Sequence, residues 1–449
     1  MGWGQTGNAN IGGYKWGVAL GVMPSALGQS YRPTGLPNES IQWETQEQID
    51  FGIDLGFLNN RINLTIDWYK KESKDMLMKM QLPSYLGTQG NGSSALSAPY
   101  GNYGTMRNTG FEIELKATPV QTKSFTWDTD LQFSFNKNKL VSLQGTTSAA
   151  IIGYGQWSDV VAVSSVGRPM YDFYGYEVEG VYEDFDDILS SPVNTLYPQS
   201  CVTETDADGN IIAWHHQTDP SKYSKSNTVW PGDLKFRDIN GDGKIDENDK
   251  TQIGSPLPKF TFGWTNTFNY KGFDLSIFIN GSYGNKVMNY TSINLTSMTS
   301  TWNNQIQEKV ENRAVLGPID ANKVYNGSAW YNDITNVRVQ NPGTETPRLA
   351  IGNTYNQNIS TRYIEDGSYI RLKNISLGYT FPKNIIRKLY LENLRIYCNL
   401  QNVVTLTKYD GYDPEIGAST TDANGYVFGL DNGRYPSPFT CSFGVNLSF

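Results

Sequence analysis

The 449-residue chain is poor in histidine and cysteine, with two and three respectively. Cys201, Cys398 and Cys441 are too few and too scattered for a disulfide framework or a zinc site. No run approaches the roughly 18 apolar residues of a transmembrane helix. Basic charge is scarce too: 36 Lys and Arg stand against 44 Asp and Glu, a net charge of −8. With no Lys/Arg stripe, nucleic acid is excluded as a partner. The opening Met1-Gly-Trp-Gly-Gln-Thr-Gly-Asn8 has neither a basic n-region nor an apolar h-region. It therefore reads either as a cytosolic chain or as a piece whose export signal lies upstream. The negative mean hydropathy does not argue against a membrane, because half of each strand of a transmembrane β-barrel faces a polar lumen.

Tyr, Phe, Trp and Gly are abundant, and they fall in a pattern. Phe439, Cys441, Phe443, Val445, Leu447 and Phe449 alternate with Thr440, Ser442, Gly444, Asn446 and Ser448. Side chains of a strand alternate faces, so this is one apolar and one small polar face. About 9–11 residues is the length of a tilted membrane-spanning strand. The alternation recurs around Tyr14–Leu20, Ile49–Phe57, Ile62–Trp68, Phe111–Ala117, Phe125–Phe135, Phe260–Tyr270, Phe273–Ile279, Ile375–Phe381 and Leu394–Leu400. That predicts about ten strands. Cys398 and Cys441 lie on apolar strand faces, as small hydrophobes.

The connections alternate as well. Short links are expected near 58–61, 118–124, 271–272 and 382–393, and long ones near 21–48, 81–108, 141–258, 290–365 and 404–435. An outer-membrane barrel has short periplasmic turns and long outer loops, with aromatic girdles at the strand ends. Trp68, Tyr69, Tyr270, Tyr379 and Phe381 suit such girdles. The pattern predicts an all-β, antiparallel transmembrane barrel, apolar faces to lipid and polar faces to a wet lumen. A soluble all-β protein is the weaker alternative.

The sharpest local motif runs from Asp238 to Asp249. Asp238, Asn240 and Asp242 occupy positions 1, 3 and 5, and Gly243 at position 6 permits the sharp turn. Lys244 at 7 offers its backbone carbonyl, and Asp246 and Asp249 stand at 9 and 12. That is the ligand spacing of a calcium loop. Asp249 replaces the usual Glu, and no amphipathic helices flank the loop. The expectation is structural Ca2+ in a long outer loop; the alternative is an acidic turn that binds nothing. Glu112 and Glu114 read as lumen-facing polar residues rather than an acid/base pair. His215 and His216 read as plain loop, since adjacent residues of an extended segment point apart. Asp206-Ala-Asp-Gly209 reads as a hairpin turn. Gly87 to Gly104 lacks the Lys-Ser/Thr and helix of a phosphate loop. No catalytic set is visible, so no enzyme activity is expected. Trp157, Trp214, Trp230, Trp302 and Trp330 fall in long loops, to pack there or to stack on sugar rings.

Several stretches, in order, carry a family likeness: Gly4-Gln-Thr-Gly-Asn8, Trp43-Glu-Thr-Gln-Glu-Gln48, Gly232-Asp-Leu-Lys-Phe236 running into the Asp/Asn loop, Ile253-Gly-Ser-Pro256, Pro258-Lys-Phe-Thr-Phe-Gly263, Tyr369-Ile-Arg-Leu-Lys-Asn-Ile-Ser-Leu-Gly-Tyr379, Asn399-Leu-Gln-Asn402, Gly411-Tyr-Asp-Pro-Glu415 and the terminal strand ending at Phe449. The chain resembles the C-terminal part of SusC/RagA-type TonB-dependent outer-membrane transporters, over essentially its whole length. The resemblance implies a barrel of about 22 strands, of which residues 1–449 supply the C-terminal part, without the plug and N-terminal domains. It implies import of glycans, oligosaccharides or peptides across a Gram-negative outer membrane. The implied partners are a SusD-like surface lipoprotein, TonB–ExbB–ExbD through the missing plug, the missing barrel half and outer-membrane lipid. Two other readings stay open: a self-closed passive pore or adhesin, and a secreted, calcium-stabilised glycan-binding protein.

Overall fold

The structure, a computed structural model, describes the chain except residues 9–10, 80–83, 88–95, 144–149, 156–158, 298, 300–303, 324–329, 388–389 and 419–426. Its frame is one sheet of ten strands: β1 (Gly2–Asn8), β2 (Glu44–Phe57), β3 (Ile62–Lys74), β4 (Gly104–Gln121), β5 (Phe125–Leu143), β6 (Phe260–Tyr270), β7 (Phe273–Tyr283), β8 (Tyr369–Thr380), β9 (Asn393–Thr407) and β10 (Thr440–Ser448). Each strand pairs antiparallel with its sequence neighbour, so the wall is an uninterrupted meander. A meander puts alternate connections at alternate ends. The links at 58–61, 122–124, 271–272 and 381–392 therefore share one end, and those at 9–43, 75–103, 144–259, 284–368 and 408–439 share the other.

Two expectations are corrected. The first wall strand is Gly2–Asn8, not Tyr14–Leu20. Gly12, Gly13 and Gly17 break the alternation around Tyr14, and residue 14 itself has positive φ. The segment from Leu20 instead forms a small hairpin with Gly28–Pro33. Several strands also run further toward the long loops than their apolar rows suggest, because backbone ladders continue where the side chains turn polar. Thus β4 begins at Gly104 and β5 ends at Leu143.

The register makes one face of the wall apolar. Leu55, Leu64, Leu115, Leu131, Trp264, Ile279, Leu372 and Val404 are successive cross-strand neighbours. In β9 and β10, Leu394, Ile396 and Cys398 stand opposite Leu447, Val445 and Phe443. These side chains are exposed or half-buried (Trp264 39%, Val404 47%, Leu447 55%), a composition that water would not tolerate over so wide a surface. The polar intruders Thr129 and Asn266 accept indole N–H bonds from Trp264 (2.9 Å) and Trp127 (3.0 Å).

Two aromatic rows bound this band. Phe51, Trp68, Phe111, Phe135, Phe260 and Tyr283 form the row toward the long loops. Phe125, Tyr270, Phe273 and Tyr379 form the row at the short links. Along β5, β6 and β7 the rows are ten residues apart, from Phe125 to Phe135, Phe260 to Tyr270 and Phe273 to Tyr283. At a rise of about 3.3 Å per residue that is ~33 Å along the strand. A tilt of about 40° reduces it to ~25 Å, the height of an outer-membrane barrel's apolar band. The sheet is a transmembrane barrel wall. Among the described residues β1 and β10 do not pair with each other.

The buried core lies elsewhere. Among the described residues four apolar clusters are built mainly from the long loops, and the loop ends of β4 and β5 add Met106, Leu140 and Leu143 to one of them. Phe236 stacks on Tyr176 at a centroid distance of 4.7 Å and meets the tilted ring of Tyr355 at 5.2 Å. The loops are a folded cap on the wall.

Candidate functional site: the inner face and the loop cap

The other face of the wall is polar, as the alternation requires. Asp54, Asp67, Glu112, Glu114, Asp128 and Asp130 gather on β2–β5. Thr65 donates to Asp54 (2.6 Å), Thr118 to Asp128 (2.6 Å), and Lys116 to Glu114 (2.7 Å). A recess of about 370 Å³ opens here among Asp67, Glu112, Glu114, Gln132, Ser134 and Thr261. Across the sheet cations stand paired with carboxylates: Arg395 forms a two-pronged pair with Asp274 between β9 and β7 (Nε–Oδ1 3.0 Å), and Arg371 and Lys373 rise from β8. This is a hydrated, hydrogen-bonding surface. Glu112 and Glu114 are spread along it among polar neighbours.

The cap is held by two buried ionic centres, and both explain sequence motifs. The Asp233 carboxylate, fully buried, receives Nε (2.8 Å) and Nη2 (3.1 Å) of Arg348, Nδ2 of Asn356 (2.9 Å) and the Trp230 amide (2.9 Å). Four donors on one carboxylate offset its desolvation. Gly232 precedes it at φ 85°, and a Cβ there would stand 2.9 Å from that of Arg348. Lys235 pairs with Asp187 at 2.8 Å, and Phe236 stacks on Tyr176. Asp233, Lys235 and Phe236 of the Gly232–Phe236 motif thus each have a tertiary partner, and Leu234 lies in the same buried cluster as Phe236.

The second centre ties cap to wall. Arg371, on the inner side of β8 and almost fully buried, bonds Asp413, Glu415 (2.8 Å) and Thr405 (2.8 Å), and Lys373 reaches Glu415 at 3.1 Å. The motifs at 369–379 and 411–415 are the two halves of this clamp. Burial raises the Asp413 carboxyl, but the Glu415 and Ser437 amides and the Arg371 guanidinium outweigh it and hold it below the usual value. Likewise the motifs at 4–8 and 43–48 meet as paired strands, Gly4 opposite Gln48 and Gly7 opposite Thr45, with Trp3 donating to Glu47 at 3.1 Å.

The predicted cation loop is folded on itself. Asp238 accepts from the Gly241 (2.7 Å) and Gly243 (2.8 Å) amides, Asn240 from that of Asp242, and Asp242 from that of Lys244. Asp249, buried, accepts from the amides of Ile239 (3.0 Å) and Asp246 (2.7 Å). The Lys244 ammonium lies 2.7 Å from Asp246 and 3.4 Å from Asp242. Its bond to Asp246 raises its own pKa. Among the described residues, three or more His, Cys, Asp or Glu side chains do not converge on one point. Gly241 and Gly243 take positive φ, and the loop's carboxylate and amide oxygens accept the loop's own N–H groups.

Of the loop aromatics, Trp230 is buried in a cluster with Tyr182 and Val229, and Trp330 packs on it; these two rings are packing. Trp214 lies half-buried on the hairpin of Cys201–Thr205 with Ile211–His216. Trp157 and Trp302 lie outside the described residues. The turn at Asp206–Gly209 closes that hairpin, with Gly209 at φ 83°. His215 faces Glu204 (3.3 Å), while His216 faces the Ser191 carbonyl (2.9 Å). Burial pushes the Cys201 thiol up to about 11. Sequence reading missed Arg348 altogether; Asp233, Arg371 and Asp413 lay within the marked motifs, but not their pairing.

Comparison with known proteins agrees with this architecture. Residues 2–187 match the family described as TonB dependent receptor-like, beta-barrel. The chain is 30% identical to TonB-dependent receptor P3 of Formosa agariphila, covering all of this chain and 39% of that protein. It is 25% identical to TonB-dependent receptor SusC of Bacteroides thetaiotaomicron, covering all of this chain and 37% of SusC. Its fold follows a chain of the RagAB peptide transporter with a TM-score of 0.70 at 21% identity, over all of this chain and 40% of that one. The chain thus spans about two fifths of the length of the curated relatives it matches. Its first part thus matches the β-barrel of TonB-dependent receptors, and along its whole length the chain is similar to SusC.

Proposed function

We propose that this chain forms part of the barrel wall and the outer loop cap of a nutrient importer in a Gram-negative outer membrane. The observation that carries the reading is the apolar outer face, continuous across the wall and bounded by aromatic rows, opposite a hydrated polar inner face. The imported molecules are glycans or oligosaccharides, with peptides as the second reading. Hydroxyl- and amide-rich molecules suit an inner face of Asp, Glu, Thr, Asn and Gln side chains. A SusD-like lipoprotein covers the loop cap, and TonB supplies the energy through a plug. The test is uptake: cells lacking the gene are compared with cells lacking TonB, using labelled oligosaccharides and labelled peptides. The reading expects loss of one class in both strains; unchanged uptake of both classes contradicts it.

We also propose that Asp238, Asn240, Asp242, the Lys244 carbonyl, Asp246 and Asp249 hold Ca2+, displacing the Lys244 ammonium and stiffening the cap. Millimolar Ca2+ should slow protease cleavage within 238–249, and Asp242→Ala should abolish that protection. Equal cleavage with Ca2+ and with EDTA contradicts the assignment.

A further inference from the structure

The outer face changes character one step beyond the upper aromatic row. On β3 the outward series Ile62, Leu64, Ile66 and Trp68 continues as Lys70, Glu72 and Lys74. On β4, Phe111 gives way to Thr109 and Arg107, and on β5 Phe135 gives way to Lys137 and Lys139. The register sets these side by side: Lys70 opposite Thr109, Thr109 opposite Lys137, Glu72 opposite Arg107, Arg107 opposite Lys139. Five cations therefore share this belt, and the carboxylates beside them are Glu47, Glu72 and, next to Lys74, Asp75. Glu72 is held by Arg107 (2.6 Å) and Lys70 (3.3 Å), and Glu47 by Lys74. Lys137 and Lys139 are exposed, and no acidic side chain of the described residues pairs with them. A chain of net charge −8 thus concentrates positive charge on its lipid-facing side, toward the long loops.

We propose that this belt binds the phosphorylated headgroups of anionic lipid in the outer leaflet. The inference rests on the outer-membrane reading above. Its position carries it: two to four residues above the aromatic row, about 7–13 Å along the strand, is headgroup depth. There a cation is attracted to anionic lipid. Glu47 and Glu72 hold the neighbouring cations in place across the strands, leaving Lys137 and Lys139 as the free phosphate contacts. The occupant is an anchored lipid because the site lies outside the barrel, above acyl-chain depth and away from the inner face.

The experiment uses the full-length product of the gene, purified in detergent, with lipid A carrying two phosphates as probe and phosphatidylcholine as control. Binding is read by native mass spectrometry titration. The wild type should prefer lipid A. K137Q/K139Q should bind it roughly 30-fold more weakly, each near-surface cation contributing about fivefold. K137R/K139R should stay within about threefold of wild type, since Arg keeps the charge. Heat-modifiable gel migration confirms that each variant is folded. Equal affinity of the Gln variant and wild type overturns the proposal, as does displacement of lipid A by 10 mM inorganic phosphate. Recovery of the protein outside the outer membrane would sink the importer reading instead.

Discussion

In the wall, the large apolar side chains are exposed or half-buried; in the cap, they pack into buried clusters. Phe443 and Leu447 on β10 keep more than half their surface open, whereas Trp230, Tyr176 and Phe236 keep about 1% or less. The difference follows from the solvent each region meets. The wall needs no apolar interior, because lipid covers one face and water wets the other, and its stability comes from paired backbones. The cap stands in water and must bury apolar surface as any soluble domain does. Polar groups reverse in the same way. The wall leaves its carboxylates on a hydrated face, while the cap encloses Asp233 and must surround it with donors.

Substitutions that exchange the rules of the two regions should break them most. Asp233→Ala leaves the buried Arg348 guanidinium without its partner, at a cost of about 3–5 kcal/mol. Protease sensitivity should rise across 224–238 and 345–357 while heat-modifiable migration of the wall persists. Trp230→Ala should cost the cap about 3–5 kcal/mol through the cavity it leaves, seen as a lowered first unfolding transition. On the lipid face, Leu115→Arg should cost about 2–4 kcal/mol and reduce membrane assembly. Its neighbour Glu114→Gln, on the wet face, should assemble normally.

Smaller effects sharpen the comparison. A Cβ on Gly444 would stand 2.2 Å from the Tyr397 ring. Gly444→Ala should therefore displace that ring and cost about 1–3 kcal/mol, read as a lower wall transition with the cap unchanged. The Arg371 clamp should respond to acid. The folded Asp413 carboxyl is depressed, so its stabilisation is full above the unfolded value of about 3.9 and fades as pH falls through the lower folded value. Cleavage within 408–439 should stay flat from pH 8 to 5 and rise only below about 4; Asp413→Asn should remove this acid step.

The wall was legible in the sequence because period-two alternation is local and the lipid enforces it on each strand separately. Phe125–Phe135 and Phe260–Tyr270 declare their faces without knowing their neighbours. Gly2–Asn8 was not legible as a strand: it shows no alternation and is held by its ladder with β2. Neither was the cap, whose order depends on partners far apart in sequence. Asp233 finds Arg348 and Asn356, and Arg371 finds Asp413. The motif stretches marked these places without showing what they touch. Thr129 and Asn266 break the apolar row by composition, yet the neighbouring indoles satisfy them, a compensation visible only in register.

The two-faced wall is tested most directly by scanning β4 with single cysteines from Phe111 to Ala117, after replacing Cys201, Cys398 and Cys441. In outer membranes treated with a membrane-impermeant maleimide, positions 112, 114 and 116 should label, and 111, 113, 115 and 117 should stay dark until detergent is added. Labelling without period two, or with the phase inverted, would contradict the account.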